Sequence, residues 1–111
     1  MKKAALIAAL LSAVLIWSHG GLVAAQQTEP VDLVAGCNPV TTTYADSTPI
    51  ATIAGAVTPA EALQSIWQLE AGIWTGYSAQ FPAASDLAEV DRLDVVFICV
   101  SAAGSFERLV I

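Results

Sequence analysis

The sequence predicts a small, mainly β domain with one or two short helices (small α+β), its antiparallel sheet curled or sandwiched and held by one disulfide. Three observations carry this. The run Val95-Val96-Phe97-Ile98-Cys99-Val100 is continuously apolar and of strand length. Ser65–Leu69 and Ile73–Tyr77 each contain a tryptophan and flank Glu70-Ala71-Gly72, which reads as a hairpin. The chain has two cysteines, Cys37 and Cys99, both beyond an N-terminal export segment.

That segment comes first. Lys2 and Lys3 precede an apolar stretch from Ala4 to Trp17, interrupted only by Ser12, and Leu22-Val23-Ala24-Ala25 follows a short polar break. Small side chains suit the first and third positions before a signal-peptidase cut, which places cleavage after Ala25. The alternative is a retained anchor, but a spanning helix needs roughly 20 apolar residues and this stretch is shorter. Removing 25 of the 111 residues leaves 86, enough for one domain. We expect a signal peptide over 1–25, a flexible polar leader over 26–31 and a single β-rich domain over 32–111.

Within the domain, Asp32–Gly36 and Val40–Tyr44 read as strands bracketing Cys37-Asn38-Pro39. Ala45–Pro49 is a turn cluster, and Thr48 as cap with Pro49 at the first helical position starts a short helix through Ile50–Ala54. Thr58-Pro59-Ala60-Glu61 has the form of a capping box, so a second helix of one to two turns is expected from Pro59, ahead of the hairpin. Ser78–Ala84 is a loop, and Ser85 caps a brief turn over Asp86–Glu89. The unbroken apolarity of Val95–Val100 implies a central strand covered on both faces. Phe106–Ile111 closes the domain as a final, open-edged strand.

Charge narrows the function classes. After cleavage both lysines, His19 and Met1 are gone, leaving Arg92 and Arg108 against ten carboxylates, a formal charge of −8. Such a surface repels phosphate backbones and anionic lipids, so nucleic acid is excluded as a partner, and no membrane span remains. Nucleophilic catalysis needs a base poised near neutrality, and no histidine or lysine remains to supply one. The expectation is a protein that is not an enzyme and has no cofactor or metal. Asp86, Glu89, Asp91 and Asp94 form the densest acidic group. They read as a solvated turn, with a carboxylate pair for glycoside hydrolysis or a weak calcium site as alternatives.

In an oxidising compartment Cys37 and Cys99 have one possible pairing, closing a loop of about 60 residues worth roughly 4 kcal/mol in the chain-entropy model. Two alternatives stay open. Val34-Ala35-Gly36-Cys37 has the form of a lipobox, which would anchor a lipoprotein at Cys37, although polar residues separate it from the apolar stretch. The other alternative is a pair of free buried thiols. Trp67, Trp74 and Tyr77 are the candidate ligand platform: on a hairpin, Trp67 and a neighbour on the opposing strand can share a face and stack on sugar rings. The expectation is that these rings instead complete the core of a domain with few large residues.

The segments Gly36-Cys37-Asn38, Ser65-Ile66-Trp67, Trp74-Thr75-Gly76-Tyr77, Ala84-Ser85-Asp86-Leu87 and Leu93-Asp94-Val95-Val96-Phe97-Ile98-Cys99 together resemble a small extracytoplasmic β-rich module. It recurs in secreted and surface proteins of bacteria and archaea, often opens Gly-Trp-Asn, carries a Val-Trp/Trp-x-x-Tyr hairpin and ends Gly-Tyr-Trp-Ile. The resemblance covers essentially the whole mature chain. It implies an accessory module, often appended to larger proteins, with no assigned catalytic residue. Cys37 stands where the module has tryptophan, and Cys99 falls in the strand matching Tyr-Trp-Ile. The resemblance thus implies that the two cysteines face each other. This chain departs from the pattern in being almost nothing except the module.

The functional expectation is a secreted, non-catalytic accessory, interaction or surface-structural module. Its partner would be a protein or a cell-envelope component, docked along the Phe106–Ile111 edge. The alternative is carbohydrate binding through Trp67, Trp74 and Tyr77.

Overall fold

The computed structural model describes residues 27–110. The expected signal peptide, Gln26 and Ile111 lie outside the described residues. In chain order come β1 (Thr28–Leu33), β2 (Gly36–Thr41), β3 (Thr48–Pro49), helix α1 (Ile50–Gly55) and β4 (Val57–Thr58). After them follow β5 (Leu63–Glu70), β6 (Ile73–Ser78), β7 (Glu89–Val90), β8 (Val95–Val100) and β9 (Gly104–Leu109). The strands form three antiparallel sheets in the orders β1-β9-β4, β2-β8-β5-β6 and β3-β7, and none closes on itself. One hydrophobic cluster joins all three. Leu33, Val57 and Phe106 enter it from the first sheet, Val40, Ile66, Val96, Ile98 and Val100 from the second, Val90 from β7, and Ile50 and Ile53 from α1.

Strand β8 is interior, flanked by β2 and β5. Because side chains alternate along a strand, Val96, Ile98 and Val100 fill the core while Val95, Phe97 and Cys99 point the other way. The second face is not covered as expected: Val95 is 48% exposed. Among the described residues no second sheet lies over it. The Cys37–Cys99 disulfide crosses between directly paired positions of β2 and β8. Lipidation of Cys37 and a free-thiol pair both give way to that bond.

The leader expected over 26–31 is structured from Thr28 on. Strand β1 pairs along its whole length with β9, from Thr28↔Leu109 to Leu33↔Gly104, and Glu29 is joined to Arg108 at 2.8 Å. Phe106 is fully buried, and a buried strand cannot leave its backbone groups unpaired. Of the open edge expected at Phe106–Ile111, the same pairing occupies Phe106–Leu109, and Ile111 lies outside the described residues. Strand β9 has β1 on one side and β4 on the other. Past the end of β4, Glu107 N donates to Ala56 O at 3.0 Å and the Tyr44 hydroxyl donates to Glu107 O at 2.6 Å. Thr43 Oγ1 donates to Leu109 O at 2.6 Å. No strand can be added there.

Cys37-Asn38-Pro39 is not a break between strands but part of β2. The break falls at Val34-Ala35, where the chain passes from the first sheet to the second. Asn38 holds this corner: its Oδ1 accepts from Val34 N at 3.0 Å, and its Nδ2 donates to Val34 O at 2.9 Å and to Ile98 O at 3.1 Å.

The local helix signals are only partly realised. Helix α1 forms where expected, but Pro49 is its N-cap, and Thr48 belongs to β3 and donates to Ala45 O at 2.6 Å. The capping box does not form. Thr58 pairs with Ser105 in β4, and their hydroxyls meet at 3.0 Å, so only a single 3₁₀ turn, Ala60–Ala62, follows. Sheet pairing outweighs a cap worth about 1 kcal/mol. Ser85 likewise ends a 3₁₀ turn (Pro82–Ala84) instead of starting one.

Candidate functional site

The site is built on the hairpin β5–β6. Its two-residue turn, Ala71-Gly72, has φ of 53° and 80°, the positive pair a type I′ turn requires. That turn sets the register: Glu70↔Ile73, Leu69↔Trp74, Trp67↔Gly76 and Ile66↔Tyr77. On the other side, Trp67 pairs with Phe97 of β8, which pairs with Pro39 of β2. Residues in register share a face, so one face of the four-stranded sheet carries Trp67, Leu69, Trp74, Phe97, Val95, Pro39 and the disulfide. Ser65, Ser78 and Thr41 are its polar members, and among the described residues no charged residue stands at its sheet positions.

This face is open. Trp67 is 42% exposed and Trp74 51%. The expectation that the tryptophans fill the core is therefore corrected. Ile66 and the β8 residues supply that core, and the rings stand on the reverse of the same strands. Tyr77, paired with Ile66, takes the opposite parity and packs against the core. Of the three platform candidates the structure brings Trp67 and Trp74 onto one face, while Tyr77, on the opposite face of β6, contributes only to the lining of a hollow beside Trp67. Phe97 replaces it, its ring 5.6 Å from that of Trp74 and tilted by 59°. Sequence reasoning did not single out Phe97 for this role. The turn fixes the faces of β5 and β6 alone, and Phe97 joins them through the long-range pairing of β8 with β5, for which the sequence carries no local signal.

Trp67 owes its orientation to Gly76. A Cβ on Gly76 would sit 2.6 Å from Trp67 Cε3 and 2.8 Å from Cη2, so the indole lies directly on the glycine backbone. Its Nε1 donates to Ser65 Oγ at 2.9 Å. One ring face is seated on the sheet, the N–H is satisfied internally, and the other ring face is left outward.

The ring forms a ridge between two hollows. On the β8 side lies a hollow of about 500 Å³ lined by Trp67, Trp74, Phe97, Cys37 and Cys99, without a polar side chain. On the β6 side lies one of about 390 Å³, where Phe81 faces Trp67 across Ser78, Ser85 and Asp86. The segment after β6 is folded back on that strand. Asp86 Oδ1 accepts from Gly76 N at 2.7 Å, Ser85 Oγ accepts from Ser78 N at 2.8 Å, and Gly76 O accepts from Leu87 N at 3.1 Å.

The other acids do not converge. Asp94 Oδ2 accepts from Gln68 Nε2 and from Asp91 N, both at 2.8 Å. Asp91 Oδ1 accepts from Ser47 N at 2.9 Å, and Asp46 Oδ1 accepts from Arg92 N at 3.0 Å. Of the four acids expected to be a solvated turn, Asp86, Glu89 and Asp91 are exposed, and Asp86, Asp91 and Asp94 also pin neighbouring segments. Among the described residues no three His, Cys, Asp or Glu side chains are grouped to hold a metal ion. Chemically, the arrangement offers flat apolar stacking surface with hydroxyl and carboxylate oxygens along one border.

No family model, curated protein or solved structure matches this chain.

Proposed function

We propose that this chain is a secreted, non-catalytic binding module that engages its ligand through the open aromatic face of the β2-β8-β5-β6 sheet. The observation that carries the reading is the outward, seated indole of Trp67 on a face that has three aromatic rings and no charge. An exposed apolar patch of this kind on a small domain marks an interaction site. Export is supported by the N-terminal pattern of the sequence and by the Cys37–Cys99 bond. The described residues contain no helix long and apolar enough to cross a membrane. The absence of histidine and lysine after cleavage supports a non-catalytic role. The likeness to the extracytoplasmic accessory module agrees with this, since the five segments that carry it supply Cys37, Trp67, Trp74, Asp86, Phe97 and Cys99 to one region of the surface.

The test compares exported wild type with Trp67→Ala and Trp74→Ala for retention on cell-envelope material and extracellular polymers. Loss of retention by both variants, with circular dichroism and thermal unfolding close to wild type, supports the reading. Retention unchanged in both overturns it, as does turnover of a substrate. Intact mass of the exported protein should begin at Gln26 and rise by two hydrogens on reduction.

A further inference from the structure

We infer that the Trp67 ridge binds neutral pyranose chains, an inference that rests on the open aromatic face being the binding surface. The occupant is identified by the chemistry on the two sides of the ring. Trp67 presents a plane whose only polar atom is already bonded to Ser65 Oγ, so a ligand there must offer a flat C–H surface and needs no acceptor for the indole. Beside that plane stands a carboxylate with half its capacity in use. Asp86 Oδ1 holds Gly76 N, while Oδ2 receives no donor from any described residue, and the side chain is exposed at the border of the hollow. Ser78 and Ser85 add hydroxyls beside it.

A ligand with an apolar flat side and a donor-rich edge satisfies both features. A pyranose has that form: axial C–H groups on its face and hydroxyls around its rim. An acyl chain or an apolar peptide face would cover Asp86 without giving it a donor, and desolvating an unpaired carboxylate is costly. An anionic glycan would bring further negative charge to a mature chain with ten carboxylates and two arginines. The ligand therefore carries no negative charge, and neutral hydroxyls are donors enough for Asp86.

Its length follows from the neighbours of Trp67. Trp74 and Phe81, 51% and 61% exposed, stand on the walls of the two hollows that the Trp67 ridge separates. Three rings in succession suit several consecutive sugar units better than one.

The experiment uses the exported, oxidised chain with microcrystalline cellulose, chitin, xylan and mannan as neutral polymers and polygalacturonate and alginate as anionic ones. Retention on at least one neutral polymer is expected, with no competition from the anionic pair. Trp67→Ala should weaken it by about tenfold or more, the loss of one stacked ring. Asp86→Asn, which keeps an amide oxygen for Gly76 N, should weaken it several-fold without lowering the unfolding temperature. Retention untouched by Asp86→Asn overturns the sugar-edge geometry. Failure on all four neutral polymers by a folded chain overturns the inference. If Trp67→Ala and Trp74→Ala still abolish capture by envelope protein, the aromatic face stands as a protein-docking surface. If those variants also change nothing there, the face itself is excluded.

Discussion

Replacing Gly76 with alanine tests the geometry on which the site depends. Gly76 is not at positive φ among the described residues, so its backbone accepts any side chain. Its N–H donates to Asp86 Oδ1 and its carbonyl accepts from Leu87 N, and a methyl on its Cα replaces neither group. The whole cost of Gly76→Ala therefore falls on Trp67. A Cβ would meet Cε3 at 2.6 Å and Cη2 at 2.8 Å, whereas carbon atoms rest at about 3.5–4.0 Å, so the ring must lift by about 1 Å. Overpacking of this kind costs about 1–3 kcal/mol, and an exposed ring that can move lies toward the lower end, about 1–2 kcal/mol. Against this stands a gain of about 0.5–1 kcal/mol from removing a glycine inside a strand. In a Trp67→Ala background only the gain remains. The cycle formed by wild type, the two single variants and the double variant should thus give a coupling of about 1–2 kcal/mol, read from urea unfolding followed by circular dichroism. Glycan retention should fall in Gly76→Ala as it does in Trp67→Ala. A coupling under about 0.5 kcal/mol would mean that the indole does not rest on Gly76, and the reasoning about a seated ring would be refuted.

Three further outcomes are expected. Removing the disulfide as Cys37→Ala/Cys99→Ala, or by reductant, should lower stability by about 4 kcal/mol, since the bond closes a separation of 62 residues; a loss below about 1 kcal/mol in urea titration would count against the loop-entropy reasoning. Burial, with the Glu107 carboxylate adding to it, raises the Tyr44 pKa above its ordinary 10.0, so the folded state keeps a proton that the unfolded chain releases. Stability is then full below pH about 10 and falls as pH rises through the folded value; Tyr44→Phe should abolish that alkaline fall while losing about 0.5–1.5 kcal/mol at neutral pH with the bond to Glu107 O. Ala71→Asn should raise stability by about 0.5–1 kcal/mol, because Ala71 sits at φ 53° in a turn that favours Asn-Gly; an unchanged unfolding midpoint would argue against the I′ geometry.

What was legible in the sequence was what is decided locally. The hairpin follows from a glycine turn between two aromatic strands, α1 from a proline start and a glycine stop, and the interior place of β8 from its apolar run. The cysteine pair follows from composition. What was not legible depends on residues distant along the chain. Nothing in Thr28–Val31 announces a strand until β9, distant along the chain, is known to be buried and in need of a partner. The capping box at Thr58 is sound as a local motif and loses to pairing with Ser105. The tryptophans are an intermediate case. Their common face follows from the turn, and only the absence of a covering layer had to be seen in three dimensions.

The constraints outside the core are gathered at one face of the molecule. The disulfide is not in the core but in the floor of the apolar hollow, where it ties β2 to β8 beneath Trp67 and Trp74. Asp86 and Ser85 are fixed by bonds to β6, and Trp67 is seated on Gly76 and tethered to Ser65. Each constraint orders a group that the core does not need, on the face the core does not use. Ordering side chains before a ligand arrives lowers the entropy lost on binding, and that gain is realised only if something binds. Asp86 is the carboxylate at the border of this face, whose sheet positions themselves carry no charge among the described residues. A face built only for stability would have been covered or made polar; this one is held open and stiff.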